Sequence, residues 1–284
     1  MKIGFVGMGV MGRAMVFNLI KANINVTIFN RTKEKCLTSI KAGAKLAQSS
    51  SELITSSDII LTCVSNSSAL EDIIDSGSIN CDHISSDKIL IDCSTISPSE
   101  TIRIASILKK KNIDMLDAPV TGGEIGALLG NLTFMVGGKR KLFDKIKYLL
   151  DIMGETIIYA GVNGNGQKLK IVNQAVCAIN ALAVAEGLTL SKKLNIDLDV
   201  LYQLLSNGAA NSWMVNDLIN RLLQKNRQPG FTIKLFEKDM CIVDEELKRN
   251  NLTLDGLTTA HNLMRKAVSK GLEGFGVQTL SEAL

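Results

Sequence analysis

The run Gly7-Met8-Gly9-Val10-Met11-Gly12 constrains this chain more than any other feature. Residues 1–6 before it read as a short buried strand, and residues 14–20 after it read as an apolar helix. A second strand at residues 24–29 follows at the distance of a β-α-β unit. In that context each glycine has its own task. Gly7 allows the tight turn out of the strand, Gly9 lets the backbone approach a diphosphate, and Gly12 lets the helix pack on the strand. The helix N-terminus then offers its free N–H groups to the anion. The expectation is a dinucleotide-binding unit whose cofactor lies along Gly7, Met8, Gly9, Val10, Met11 and Gly12.

The end of the second strand bears on which dinucleotide binds. NAD-binding units usually carry Asp or Glu there, about 20 residues past the glycines, to hydrogen-bond the ribose 2′-hydroxyl. This chain has Asn30-Arg31-Thr32. A carboxylate would repel a 2′-phosphate, whereas a neutral Asn followed by a guanidinium would accept one. The reading favours NADP(H) over NAD(H). In the competing reading Arg31 is a solvated residue at a helix start and either cofactor is taken.

Strand and helix patterns alternate to about residue 160. Strands are expected at 44–46, 58–64 (ending at Val64), 88–92, 114–117, 132–136 and 156–159, with helices at 33–42, 97–111 and 139–150. Such alternation implies a mostly parallel, doubly wound sheet covered on both faces. After residues 161–166 (GVNGNG) strand patterns stop. Helices are expected at 167–193, 198–206, 213–223, 233–250 and 257–270, the first apolar almost all round and hence a central buried helix. The expected fold class is an α/β Rossmann domain, residues 1–162, followed by an all-α domain, residues 163–284.

A length of 284 residues accommodates two such domains. Aromatic residues make up only 4%, so Ile, Leu, Val, Ala and Met must build the core. The net charge is +4, and Lys109-Lys110-Lys111 is a tight cationic run at a predicted helix end, where the dipole favours it. Without basic clustering interleaved with aromatics, no nucleic-acid partner is expected. Six cysteines with no CxxC pair suit free thiols in a reducing cytoplasm better than disulfides or zinc. The chain enters a strand at once, so no signal peptide is expected. The most apolar stretch, residues 175–185, is interrupted by Asn180 and reads as too short to span a bilayer.

Oxidation of an alcohol by a nicotinamide enzyme needs a group that exchanges the hydroxyl proton. The two histidines, His83 and His261, have no partner in their local sequence and read as surface or packing residues. No His/Cys cluster suggests a metal. Lys170 is the candidate, one turn into the long helix and facing the crevice expected between domains. Asn173 and Gln174 follow at i+3 and i+4 on the same face. Burial in a cleft would lower its pKa from about 10.4 toward the value of about 7–8 useful for proton transfer. The alternative is a lysine snorkelling from a helix end. Asp92-Cys93-Ser94-Thr95 and Asp117-Ala118-Pro119-Val120-Thr121-Gly122-Gly123 each follow a strand, where ligands bind in such sheets, although either could be an ordinary loop. Phe231 follows a Pro-Gly turn, and Lys238-Asp239 lie in the next helix, where alone they would be a solvated pair.

Together these segments resemble the β-hydroxyacid dehydrogenases, the family of 3-hydroxyisobutyrate dehydrogenase, tartronate semialdehyde reductase and glyoxylate/succinic semialdehyde reductase. The likeness covers nearly the whole chain. Five ordered motifs carry it: residues 4–15 (GFVGMGVMGRAM), 92–98 (DCSTISP), 117–138 (DAPVTGGEIGALLGNLTFMVGG), 164–174 (GNGQKLKIVNQ) and 231–240 (FTIKLFEKDM). The resemblance implies that Lys170 is the catalytic acid/base and that Thr121, Gly122 and Gly123 bind the substrate carboxylate. It implies Thr95 near nicotinamide and substrate, Lys238 on the cofactor, and Phe231 and Asp239 lining the site. It also implies a homodimer or homotetramer built through the helical domain.

Two departures from the family pattern stand out. Thr121 replaces the usual Ser, adding a methyl to a tight pocket, and Gln174 stands where Asn is common. Lys170-Ile171-Val172-Asn173-Gln174 resembles the tartronate semialdehyde branch, whereas Asn30-Arg31-Thr32 resembles the NADPH-using glyoxylate/succinic semialdehyde branch. The expected activity is hydride transfer between NADP(H) and a short hydroxy acid or semialdehyde bearing a carboxylate. The rivals are a cofactor-bound scaffold without turnover, imine reduction on the same fold, and 6-phosphogluconate decarboxylation. Lys170 argues against the first two, and the short helical tail disfavours the third.

Overall fold

The computed structural model describes residues 1–76, 88–226 and 228–284. His83 and Cys81 lie outside the described residues. The chain packs as two compact units, Met1–Lys170 and Ile171–Leu284.

The first unit holds a nine-stranded sheet: β1 (Ile3–Val6), β2 (Val26–Phe29), β3 (Lys45–Leu46), β4 (Ile59–Thr62), β5 (Ile89–Asp92), β6 (Asp114–Asp117), β7 (Val120–Thr121), β8 (Leu132–Gly137) and β9 (Gly154–Gly161). Their order is β3-β2-β1-β4-β5-β6-β8-β7, with β9 on β8. Strands β1 to β6 pair in parallel, β8 runs antiparallel to β6 and β7, and β9 is parallel to β8. Every residue of β1, β4 and β5 is buried, as central parallel strands require. Side chains alternate between two cores. Phe5, Ile59, Leu61, Ile89 and Ile91 pack on one face with Met15 and Leu19, while Val6, Ile60 and Leu90 pack on the other with Leu53 and Ile104. The strand order reverses between β1 and β4, so the loop leaving β1 opens at the switch point where ligands bind in such sheets.

Several elements differ from the sequence reading. Residues 33–42 form a 3₁₀ turn (Lys33–Cys36) and a short α-helix (Leu37–Lys41). Helices Ser50–Ser56 and Ser67–Ser76 were not anticipated; the first is capped by Ser49, which accepts from the Glu52 N–H. The stretch read as a Gly/Pro loop contains β7 and the helix Gly123–Leu129.

The second unit is helical, apart from one bridged pair, Thr232 with Gly276, among the described residues. Phe236, Met240, Leu263 and Met264 pack with Ala178, Ala181 and Ala185, whose small side chains let helices approach closely. The expected helix at 213–223 is interrupted by a π-helical stretch, Val215–Ile219.

The long helix, Asn165–Lys193, begins in the first unit and continues into the second. It corrects two expectations. Its apolar character extends well beyond residues 175–185, with mean hydropathy 1.5 in its best window, so length and composition alone would allow a membrane span. Buried Gln167, Lys170, Gln174 and Ser191 nonetheless lie on it. It is also not buried all round: Leu169, Val172, Val176, Ile179, Ala183 and Leu190 form an exposed stripe.

Candidate active site

The glycine loop fits a dinucleotide for three separate reasons. Gly7 has φ of +102°, and a Cβ there would stand 2.2 Å from the Cys63 carbonyl oxygen. A Cβ on Gly12 would fall 1.9 Å from the Gly7 oxygen, so only glycine permits the strand and helix to pack. At Gly9 a Cβ would meet nothing within 4 Å, which leaves open space over the backbone for a ligand. The helix Val10–Lys21 starts there with no side-chain cap and no acidic residue in its first turn. Its N–H groups and positive dipole end therefore suit a diphosphate. Met8 is buried beneath the loop, and Val10 is exposed at the helix start.

Asn30 has a task that the sequence reading did not anticipate. Its Oδ1 accepts from the Met8 N–H at 2.9 Å, and its Nδ2 donates to the Thr32 carbonyl at 2.8 Å. The side chain thus ties the glycine loop to the turn after β2, while Arg31 beside it is exposed. Val64 follows β4 and borders Gly7, with its Cγ1 3.3 Å from the position of a Gly7 Cβ; its N–H donates to Ser94 Oγ at 2.8 Å.

Lys170 is held by the start of the long helix. Asp117, at the end of β6, accepts from the Gly164 N–H through Oδ1 at 2.9 Å and from the Gln167 N–H through Oδ2 at 3.2 Å. A carboxylate on the positive end of a helix caps it by hydrogen bonding and by charge. Burial pushes the Asp117 carboxyl above its usual range, although those N–H donors pull the other way. Gln167 then clamps the loop after β5: its Nε2 donates to the Ser94 carbonyl at 2.8 Å, and its Oε1 accepts from the Ile96 N–H at 3.4 Å. Thr95 lies between those two contact points. Lys170 stands three residues past Gln167 on the same face and is only 7% exposed. Sequence reasoning missed Gln167, although a polar residue in the first turn of an apolar helix was a usable signal.

Thr121, Gly122 and Gly123 sit where β7 turns into the helix Gly123–Leu129, all partly exposed. Gly122 and Gly123 both have positive φ, +126° and +63°, so side chains would strain this turn.

In the second unit four of the singled-out residues form a hydrogen-bonded chain. Asn173 Nδ2 donates to Gln174 Oε1 at 2.8 Å, Gln174 Nε2 donates to Asp239 Oδ2 at 2.7 Å, and Lys238 Nζ lies 2.8 Å from Asp239 Oδ1. Gln174 is engaged at both ends of its amide, and Asp239 is buried, so the Lys238–Asp239 pair is not a solvated one. Phe231 packs against Phe236 with ring centroids 5.3 Å apart.

His261 is also more than a packing residue. It is 1% exposed, with Nδ1 2.7 Å from Asp244 Oδ2, and Glu237 and Cys241 face its other nitrogen. The pattern was invisible in sequence because its members come from two helices.

Residues 2–161 match the family described as the NAD binding domain of 6-phosphogluconate dehydrogenase. Residues 164–283 match that described as the NAD-binding region of NADP-dependent 3-hydroxyisobutyrate dehydrogenase. The chain is 34% identical over 287 residues to 2-hydroxy-3-oxopropionate reductase of Escherichia coli (strain K12), covering 100% of this chain and 97% of that protein. It is 32% identical over 282 residues to the chloroplastic glyoxylate/succinic semialdehyde reductase 2 of Arabidopsis thaliana, covering 99% and 79% respectively. Among solved structures, 3-hydroxyisobutyrate dehydrogenase from Salmonella typhimurium aligns with a TM-score of 0.93 at 26% identity, over 100% of this chain and 99% of that one.

Proposed function

Because the chain belongs to the β-hydroxyacid dehydrogenase family of NAD(P)-dependent oxidoreductases, we propose a specific reaction for it. That reaction is reversible hydride transfer between NADP(H) and a short hydroxy acid or semialdehyde carrying a carboxylate, of the 3-hydroxyisobutyrate or tartronate semialdehyde kind. The observation that carries the proposal is the seat of Lys170, a buried ammonium on a helix start pinned by Asp117 and Gln167. A second reading, reduction of glyoxylate or succinic semialdehyde, is favoured by Arg31, exposed and without an acid at the end of β2.

Gly7–Gly12 would hold the diphosphate of the dinucleotide, whose nicotinamide would supply or accept the hydride. Lys170 Nζ gives its proton to the carbonyl oxygen in reduction and takes the hydroxyl proton in oxidation. The Thr121 hydroxyl and the N–H groups of Gly122 and Gly123 hold the substrate carboxylate, fixing the reacting carbon. The roles that the resemblance implies for Thr95, Phe231, Lys238 and Asp239 belong to the same proposal, as does the reading, from their i+3 and i+4 places, that the Asn173 and Gln174 amides orient Lys170 or hydrogen-bond the substrate. Preference for NADP(H) rests on the Arg31 guanidinium meeting a 2′-phosphate.

The proposal includes a homodimer or homotetramer. Leu169, Val172, Val176, Ile179 and Ala183 are exposed at alternating spacings of three and four, the pattern of a helix-to-helix seam. Light scattering should report more than one chain per particle, and Val176→Glu should reduce that number.

Lys170→Ala tests the catalytic assignment. Loss of a proton-transfer group costs about 10²–10⁴-fold in kcat, so the variant should lose at least that while still binding NADPH. Near-normal turnover on a panel of glyoxylate, succinic, tartronate and methylmalonate semialdehydes would remove Lys170 from the mechanism.

A further inference from the structure

Beside Lys238 and Asp239 in sequence, but with no role in the proposed reaction, Glu237 and Cys241 meet His261 where two helices of the second unit come together. Glu237 and Cys241 are four residues apart on Ile233–Arg249, and His261 is on Asp255–Ser269. Cys241 Sγ lies 3.2 Å from Glu237 Oε1 and 3.9 Å from His261 Nε2, and that nitrogen lies 3.4 Å from the same oxygen. We propose that these three side chains form a binding site for a divalent metal ion of the zinc class, through one carboxylate oxygen, one thiolate sulfur and one imidazole nitrogen.

The spacing supports this. Tetrahedral zinc, with bonds of about 2.0–2.3 Å, separates its N, O and S ligands by roughly 3.3–3.6 Å. The three observed separations bracket that edge length. The orientation of His261 supports it too. Its Nδ1 lies 2.7 Å from Asp244 Oδ2; since a carboxylate can only accept, the proton of the neutral ring belongs on Nδ1, which leaves the Nε2 lone pair toward the sulfur and the Glu237 oxygen. A carboxylate behind the imidazole is the usual outer partner of a metal-bound histidine. Arg265 Nη2, 3.4 Å from the same Asp244 oxygen, helps hold that carboxylate.

The donor set selects the metal. Sulfur with nitrogen and a single carboxylate suits Zn²⁺ and disfavours Mg²⁺ or Ca²⁺, which prefer all-oxygen shells. Glu237 and Cys241 are partly exposed, so water can supply a fourth ligand. Binding sends the thiol proton to solvent, and the two anionic ligands then neutralise the ion. The ion would join the helix carrying Lys238 and Asp239 to its neighbour.

The rival occupant is a proton, with an imidazolium bridging Glu237 and Asp244. Titrating chelator-treated full-length protein with Co²⁺ and then Zn²⁺ distinguishes the two. We expect one Co²⁺ per chain, with tetrahedral visible bands and a thiolate-to-metal charge-transfer band, all displaced by Zn²⁺. Cys241→Ala and Cys241→Ser should abolish the charge-transfer band while circular dichroism stays native. Asp244→Asn should weaken binding about 10–100-fold. A spectrum unchanged by either Cys241 substitution overturns the proposal. So does absence of uptake, with ¹⁵N spectra showing His261 doubly protonated at neutral pH.

Discussion

Replacing Asp117 with alanine removes the group that starts the long helix. The side chain is fully buried and accepts from two backbone N–H groups, those of Gly164 and Gln167, and at 3.4 Å from the Asn163 side-chain amide. Each buried N–H left without an acceptor costs about 1–3 kcal/mol, giving roughly 2–6 kcal/mol for the pair. Truncation also relieves the burial of a carboxylate whose pKa is raised by desolvation, so the lower half of that range is expected. A loss of about 2–4 kcal/mol in a unit of this size lowers Tm by roughly 4–16 °C. Asp117→Asn keeps one acceptor oxygen and turns an amide donor toward the other N–H, so its stability should fall between wild type and alanine. Differential scanning fluorimetry ranks the three proteins, and steady-state kinetics below the lowest Tm reads the effect on the first turns of the helix. If Asp117→Ala melts within about 1 °C of wild type and keeps full kcat, the carboxylate does not hold Lys170 in place.

The glycine loop should separate packing from binding. Gly12→Ala places a Cβ 1.9 Å from the Gly7 oxygen and should sharply lower folded yield, whereas Gly9→Ala meets nothing within 4 Å and should fold normally but bind NADPH weakly. Equal loss of stability in both would refute that division. Arg31→Ala should raise KM for NADPH more than KM for NADH; an equal rise in both excludes a phosphate role. Asp92 is fully buried, with its Oδ2 unpartnered, and burial raises its pKa, as it does for Asp117. Between the ordinary value near 3.8 and its raised value, each acid holds a proton in the folded state that the unfolded chain releases. Their stability contribution is therefore fully present below the ordinary value near 3.8 and is lost as pH rises through the raised values. Asp92→Asn should consequently be more stable than wild type above the raised value, with the Tm gap narrowing as pH falls toward 3.8; a widening gap would reverse the assignment.

Features made by residues close in sequence were legible. Gly7, Gly9 and Gly12 act on their own strand and helix, so their spacing alone announced the turn, the open face and the close packing. The parallel strands could be read from runs such as Ile59–Thr62, because burial on both faces leaves no polar alternation. Other features depended on distant partners. Asp117 and Gln167 are 50 residues apart, so neither reveals the other. Asn30 looked like a phosphate contact, yet its amide is taken up by the Met8 N–H and the Thr32 carbonyl. The helix Gly123–Leu129 was hidden by the glycines that bound it. On the long helix, apolar residues on every side implied burial on every side. Composition cannot reveal which apolar stripe the chain's own packing leaves uncovered.

The bond from Asp117 to the residues beyond Gly161 bears on how such proteins can be cut and recombined. The recognisable nucleotide-binding sequence stops at residue 161. A fragment trimmed there would retain the Asp117 carboxyl but lose the donors of Asn163, Gly164 and Gln167, leaving an acid without those partners at the end of β6. Grafts between relatives should therefore carry the first turns of the long helix with the sheet and join after Lys170, a seam that sequence matching alone would misplace.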